Sequence, residues 1–172
     1  MRKVSPGPKV HRFNFHRATS LLLCFALLIL SGCAQREIEN RDSRGKGIIC
    51  FGDSITFGYG VAPGQDYPTQ LAKLVDISVV NAGVDGDTTV DALKRIHRDV
   101  LEKNPFLVII EFGGNDFLKK VAKEDTLKNL KEMIRLVHAH GAMVALVDIS
   151  AGMFFAEYRG LYQKLAKEMQ CI

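Results

Sequence analysis

Ile48-Ile49-Cys50-Phe51 runs directly into Gly52-Asp53-Ser54-Ile55-Thr56. A short apolar run without polar alternation is the pattern of a strand buried on both faces, and Gly-Asp-Ser carries it into a polar loop. Three further runs repeat the pattern: Ile77–Val80, Phe106–Ile110 and Met143–Val147. Amphipathic stretches with helical spacing lie between them. Val90, Leu93, Ile96 and Val100 follow Thr88 or Thr89, either of which suits an N-cap. Leu127, Leu130, Ile134 and Val137 follow Asp125, and Gly141 is placed to end that helix. A shorter helix is expected over Tyr67–Val75 and a last one from about Glu157 to Gln170. The order βαβαβαβα predicts an α/β fold: a parallel sheet with helices on both faces, joined by right-handed crossovers.

Composition agrees. The chain of 172 residues is 47% hydrophobic and 24% charged, which is one globular domain with an appendage and excludes a disordered or collagenous chain. Its net charge of +4 is unevenly placed. Arg2, Lys3, Lys9, Arg12 and Arg17 lie in the first 32 residues, which hold no acid, so the remainder carries a net charge of −1. The basic balance belongs to the N-terminus, and no nucleic-acid partner is expected.

That N-terminus reads as an export address. A basic segment precedes Leu21–Leu30, an unbroken apolar run, and Leu30-Ser31-Gly32-Cys33 follows. Ten residues of helix reach only about 15 Å, half of the hydrocarbon core, so a spanning helix is disfavoured. Leu-Ser-Gly-Cys resembles a bacterial lipobox, which implies acylation of Cys33 as the mature N-terminus and a bacterial envelope location. The neutral Ala34 implies the outer membrane in a diderm host. The expected organisation is a lipoprotein signal peptide over 1–32, a lipidated Cys33 with a polar tether over 33–46, and one domain over 47–172. Cys50 and Cys171 are then expected as buried thiols and not as a disulfide. No Cys/His cluster has metal-ligand spacing, and no cofactor is expected.

In a parallel sheet, ligands bind beyond the carboxyl ends of the strands. Three polar, Gly-bearing loops fall there: Gly52–Thr56, Asn81–Thr88 and Gly113–Asp116. Ser54 suits a nucleophile projecting from the sheet edge or a turn serine, and Asp53 suits loop support through backbone N–H groups. Gly86 suits an N–H donor to an oxyanion or a turn glycine, and Asn115 a side-chain amide donor or an Asx-turn. Each alternative stands for the residue alone. Together, a hydroxyl and two kinds of N–H donor on neighbouring strand ends suit acyl transfer. Competing motifs fail: there is no G-x-S-x-G elbow and no P-loop, and Gly58-Tyr59-Gly60 lacks the third glycine of a dinucleotide site.

Gly52-Asp53-Ser54-Ile55-Thr56-Phe57-Gly58, Asn81–Thr88 and Gly113-Gly114-Asn115-Asp116 resemble, in order, three blocks of the SGNH (GDSL) hydrolase family. The branch most resembled is the bacterial arylesterase, acyl-thioesterase and lysophospholipase group. The resemblance implies a flavodoxin-like α/β fold, Ser54 as nucleophile, and an oxyanion hole from the N–H groups of Ser54 and Gly86 with the Asn115 amide. Gly83 is an alternative to Gly86 in the same loop. The substrates implied are small acyl esters or thioesters, with a carbohydrate O-acetyl esterase as the rival within the class.

One block is not found. The family's D-x-x-H, which supplies the general base His and its Asp, has no match. His11 and His16 precede the apolar run, His97 falls within a helix, and His138 and His140 fall at the end of the next helix, at the sheet edge away from Ser54. In the family that block follows a fifth strand, and Gln170-Cys171-Ile172 is where such a strand would begin, so the sequence looks cut short. The expectation is an envelope-anchored serine esterase that is inactive as it stands, or else a non-catalytic remnant.

Overall fold

The computed structural model describes residues 37–149, 158 and 160–172. Among them, β1 (Gly47–Gly52), β2 (Ser78–Gly83), β3 (Leu107–Glu111) and β4 (Met143–Leu146) form one wholly parallel sheet of order β2-β1-β3-β4. All four apolar runs become strands. β2 continues three residues past its expected end because Asn81, Ala82 and Gly83 pair with Cys50, Phe51 and Gly52. Burial on both faces holds for β1 but not for β2, an edge strand with β1 as its only neighbour, which stays half-exposed.

Six α-helices connect the described strands and follow them: α1 (Ser54–Phe57), α2 (Tyr67–Ala72), α3 (Thr89–Asp99), α4 (Gly114–Leu118), α5 (Lys123–Ala139) and α6 (Leu161–Glu168). Thr88 is the cap of α3. Its hydroxyl accepts from the Asp91 N–H at 3.4 Å while the Asp91 carboxylate accepts from the Thr88 N–H at 3.3 Å, a reciprocal capping box. α5 starts two residues before Asp125, which therefore sits in the first turn and faces the positive end of the helix dipole instead of capping it. Gly141, at φ +78°, follows the end of α5 as expected. α2 stops at Ala72 and not at Val75, and α6 begins after Gly160 at φ +75°. The expected start of that last helix at Glu157 lies outside the described residues.

The two faces of the sheet differ. Ile49, Phe51, Val108, Ile110 and Val144 share a core with the apolar stripes of α3, α5 and α6. On the other face the Cys50 thiol meets the Tyr67 hydroxyl of α2, and burial pushes that thiol up to about 11. Cys50 and Cys171 are both buried, and the Cys171 thiol donates to the Met169 carbonyl at 3.6 Å.

The stretch before β1 is more firmly held than its polarity implied. Of the tether expected over 33–46, residues 39 to 46 are fastened to the domain. The Asn40 side-chain amide donates to His138 O at 2.8 Å and Ala142 O at 3.1 Å, closing the C-terminus of α5. Glu39 N–H donates to Gln170 O at 3.0 Å, and Lys46 N–H to Asn104 O at 2.9 Å. Beside β4, Ile172 N–H donates to Val144 O at 2.9 Å and Leu146 N–H donates to Ile172 O at 3.2 Å, the bonding of a parallel strand step.

The strand order places the function. β1 connects to β2 on one side, while β3 and β4 lie on the other, so the loops after β1 and β3 diverge and leave a crevice at the carboxyl edge. Ser54 and Asn115 sit on those two loops.

Candidate active site

β1 ends in Asp53, which caps the one-turn helix α1 by accepting the Ile55 N–H at 3.1 Å on Oδ1. The next residue, Ser54, donates its hydroxyl to the same oxygen at 3.4 Å. From the loop after β3, the Asn115 amide donates to Asp53 Oδ2 at 3.2 Å and to the backbone carbonyl of Asp87 at 3.0 Å. The loops after three strands, distant in sequence, thereby meet at one side-chain amide, that of Asn115. The Asn115 amide thus has two acceptors, with the longer bond to Asp53.

Gly86 stands in the loop after β2 at φ +78°, with no atom within 4 Å of where a Cβ would be. That open, left-handed position favours glycine and leaves its N–H accessible; no acceptor among the described residues takes it or the Ser54 N–H. Gly83, the alternative donor, has its N–H bonded to Asn81 Oδ1 at 2.9 Å. A side chain on Gly83 would meet Phe57 N at 2.1 Å, so its bareness serves the packing of α1 on β2. The geometry favours Gly86. Lys119 Nζ donates to Gly86 O at 2.7 Å, tying this loop to the end of α4.

Behind Asp53 lies a buried carboxyl partner that sequence reading did not single out. Glu111, the last residue of β3, is 3% exposed and accepts from Thr56 Oγ1 at 3.0 Å, and Thr56 in turn meets the Tyr67 hydroxyl at 3.2 Å. Burial first, and the Asp53 charge second, push Glu111 up to about 7, and Asp53 is itself raised by burial. Two buried carboxyls so close oppose each other's ionisation, which favours the protonated form of Glu111. A signal existed in the sequence: Glu111 breaks an apolar strand at its loop end. On the other side, buried Asp116 accepts from the Thr89 N–H at 2.9 Å and from the Thr126 hydroxyl at 3.4 Å, anchoring the Asn115 loop to α3 and α5. Tyr162 of α6 donates to Phe112 O at 2.8 Å, and Gly113, at φ +122°, leaves room for that hydroxyl.

A pH dependence follows from Glu111. Its proton is retained in the folded state above the ordinary carboxyl value of 4.5, so the stability it contributes is full below that value. The contribution is lost as pH rises toward about 7. Chemical denaturation should show wild-type stability falling more steeply with pH across this window than that of Glu111→Gln. The depressed carboxyls of Asp66, Asp91, Asp99, Glu132 and Glu168 act in the opposite sense at lower pH, and His138, lowered by burial, opposes the fall within the window, so the comparison with Glu111→Gln isolates the Glu111 contribution.

The histidines are elsewhere. His97 is exposed on α3, and His138 and His140 lie at the C-terminal end of α5, next to the start of β4 and away from Ser54. The His138 ring packs with burial holding it below its ordinary value, and its Nε2 has no hydrogen-bond partner. His11, His16 and Cys33 lie outside the described residues. No group of His, Cys, Asp and Glu among the described residues is arranged to hold a metal ion.

A serine, an amide and an open glycine N–H stand together at the switch point of a doubly wound, parallel α/β sheet. The signature of the GDSL-like Lipase/Acylhydrolase family matches residues 50–170, and the chain belongs to that family. It is 35% identical over 127 residues to "Esterase TesA" of Pseudomonas aeruginosa, a match covering 71% of this chain and 63% of that protein. It is 29% identical over 164 residues to the "Arylesterase" of Vibrio mimicus, covering 90% of this chain and 76% of the other. Among solved structures, that of AlinE4, an SGNH-hydrolase family esterase, superposes with a TM-score of 0.64 at 30% identity, covering 75% of each chain. The fold expected from the sequence is thus the one found.

Proposed function

We propose that this chain carries the nucleophile and oxyanion hole of a serine-type hydrolase of carboxylic esters or thioesters. The convergence of Ser54, Gly86 and Asn115 at one sheet edge carries the reading. Ser54 Oγ attacks the acyl carbon and the alkoxide or thiolate leaves. The N–H groups of Ser54 and Gly86 and the Asn115 amide hold the developing oxyanion, and water then releases the acid. The serine proton goes to an imidazole, which the family's D-x-x-H block supplies and which none of the described histidines provides. That observation favours a second reading, a chain that binds acyl esters without turning them over.

The test is hydrolysis of p-nitrophenyl acetate by the full chain in detergent, with imidazole supplied and Ser54→Ala as the control. Turnover above the control supports the hydrolase. Equal rates overturn it and leave the binding reading, checked by retention of a short-chain ester in equilibrium dialysis.

Envelope anchoring through lipid on Cys33 belongs to the same proposal and rests on the basic, apolar and Leu-Ser-Gly-Cys order of the N-terminus. Cells fed radiolabelled palmitate should label the wild-type chain and not Cys33→Ser. Equal labelling of the two, or none, removes the anchor.

A further inference from the structure

Arg95 is a charged residue of α3 that is only 9% exposed, and no step of ester hydrolysis uses it. Its guanidinium carbon stands 4.5 Å from the centre of the Phe51 ring and 5.9 Å from that of Phe112. All three of its nitrogens are engaged around that stack. Nε donates to the Asp87 carboxylate at 2.6 Å, Nη1 to Ala82 O at 2.9 Å and to Asp99 Oδ2 at 3.2 Å, and Nη2 to Gly52 O at 3.1 Å. A planar, always-charged fork stacked on rings is suited to bridge such points, and a lysine cannot reproduce it.

The positions it grips are those that aim the site. Asp87 follows Gly86 directly, and its backbone carbonyl accepts one hydrogen of the Asn115 amide at 3.0 Å. Gly52 precedes Asp53, whose Oδ2 accepts the other at 3.2 Å. Ala82 is the penultimate residue of β2, just ahead of the Gly86 loop. Both acceptors that orient the Asn115 amide are therefore on, or next to, a residue held by this one guanidinium. We propose that Arg95 is a positioning residue of the oxyanion hole: through Asp87 and Gly52 it fixes the Asn115 amide relative to the Gly86 and Ser54 N–H groups. The proposal rests on the oxyanion reading of these groups given above.

A merely structural arginine would pin α3 to the sheet and nothing more, and the experiment separates the two. Arg95→Lys and Arg95→Met are compared with Asp99→Asn, which removes an Arg95 partner that faces away from the site. Circular dichroism selects the folded variants of the full chain in detergent micelles. ¹⁵N-resolved NMR then follows the Asn115 side-chain amide pair. In the wild type the pair should be displaced from free-amide positions and exchange slowly with water. In a folded Arg95→Lys or Arg95→Met it should move to free-amide positions and exchange faster, and in Asp99→Asn it should stay. Ser54-dependent kcat on p-nitrophenyl acetate should fall in step, up to about 10²-fold, the scale of a misplaced group, with KM within twofold.

A folded Arg95 variant with unchanged Asn115 resonances overturns the proposal, as does an equal displacement in Asp99→Asn. Should the wild type show no Ser54-dependent turnover with imidazole supplied, the hydrolase reading fails, yet the Asn115 resonances still decide the place of Arg95.

Discussion

Asn115→Ala is expected to lower the Ser54-dependent kcat on p-nitrophenyl acetate by roughly 10²–10³, the usual loss for one oxyanion donor. KM should change little, because the amide acts on charge that develops only in the transition state. The structure adds a complication that the assay must meet. The same amide bridges Asp53 Oδ2 and Asp87 O, so its removal strands two acceptors and should cost about 1–3 kcal/mol of stability. Denaturation curves taken beside the kinetics separate the effects, since a folded variant keeps Asp116 and its bonds to Thr89 and Thr126. Asn115→Asp should lose at least as much rate. It keeps the shape, removes both donors and places a negative charge beside Asp53. An unchanged kcat in folded Asn115→Ala removes the amide from the mechanism.

Without an added base, Ser54-dependent turnover by the 172-residue chain is expected to be slow. A serine hydroxyl is a weak nucleophile until a base takes its proton. Among the described residues the Ser54 hydroxyl bonds to Asp53 Oδ1 at 3.4 Å, an atom that already takes the Ile55 N–H. In serine proteases, loss of the histidine costs about 10⁶ in kcat, leaving about 10³–10⁴ over water from the oxyanion hole and binding. The chain should sit near that residue of activity. Imidazole titrated into the assay should raise the rate of the wild type and leave Ser54→Ala at the level of imidazole alone. A rate that is high without imidazole, and that persists in Ser54→Ala, would place the chemistry at another residue.

The parts of the fold that rest on local pattern were legible in the residues. Val- and Ile-rich runs gave the strands, Thr88 the start of α3, and Gly141 the end of α5. What escaped depended on where separate segments meet. Val79 and Val80 look as buried as Ile49, yet β2 is at the edge, and strand order is not encoded in any one strand. Asp125 has the look of a cap, but the turn at Ala122 starts the helix earlier. In the site, Ser54, Gly86 and Asn115 announce themselves through loop chemistry. Glu111 and Arg95 do not, since each takes its meaning from partners 55 residues away for Thr56 and 43 for Gly52. A charged residue beside an apolar stripe gains a role only once those partners are known.

The wholly parallel order also bears on how the protein acquires its site in time. Asn115 meets Asp53 across 62 residues of chain, and β1 pairs with β3 only after β2 and α3 have been laid down. Contacts of such long sequence separation make folding slow, because loop closure must precede any gain from pairing. No hairpin can bring the Asn115 loop to Asp53. Asn115 therefore reaches Asp53 only once β1 and β3 have paired, so these two loops come together with the sheet and not before it.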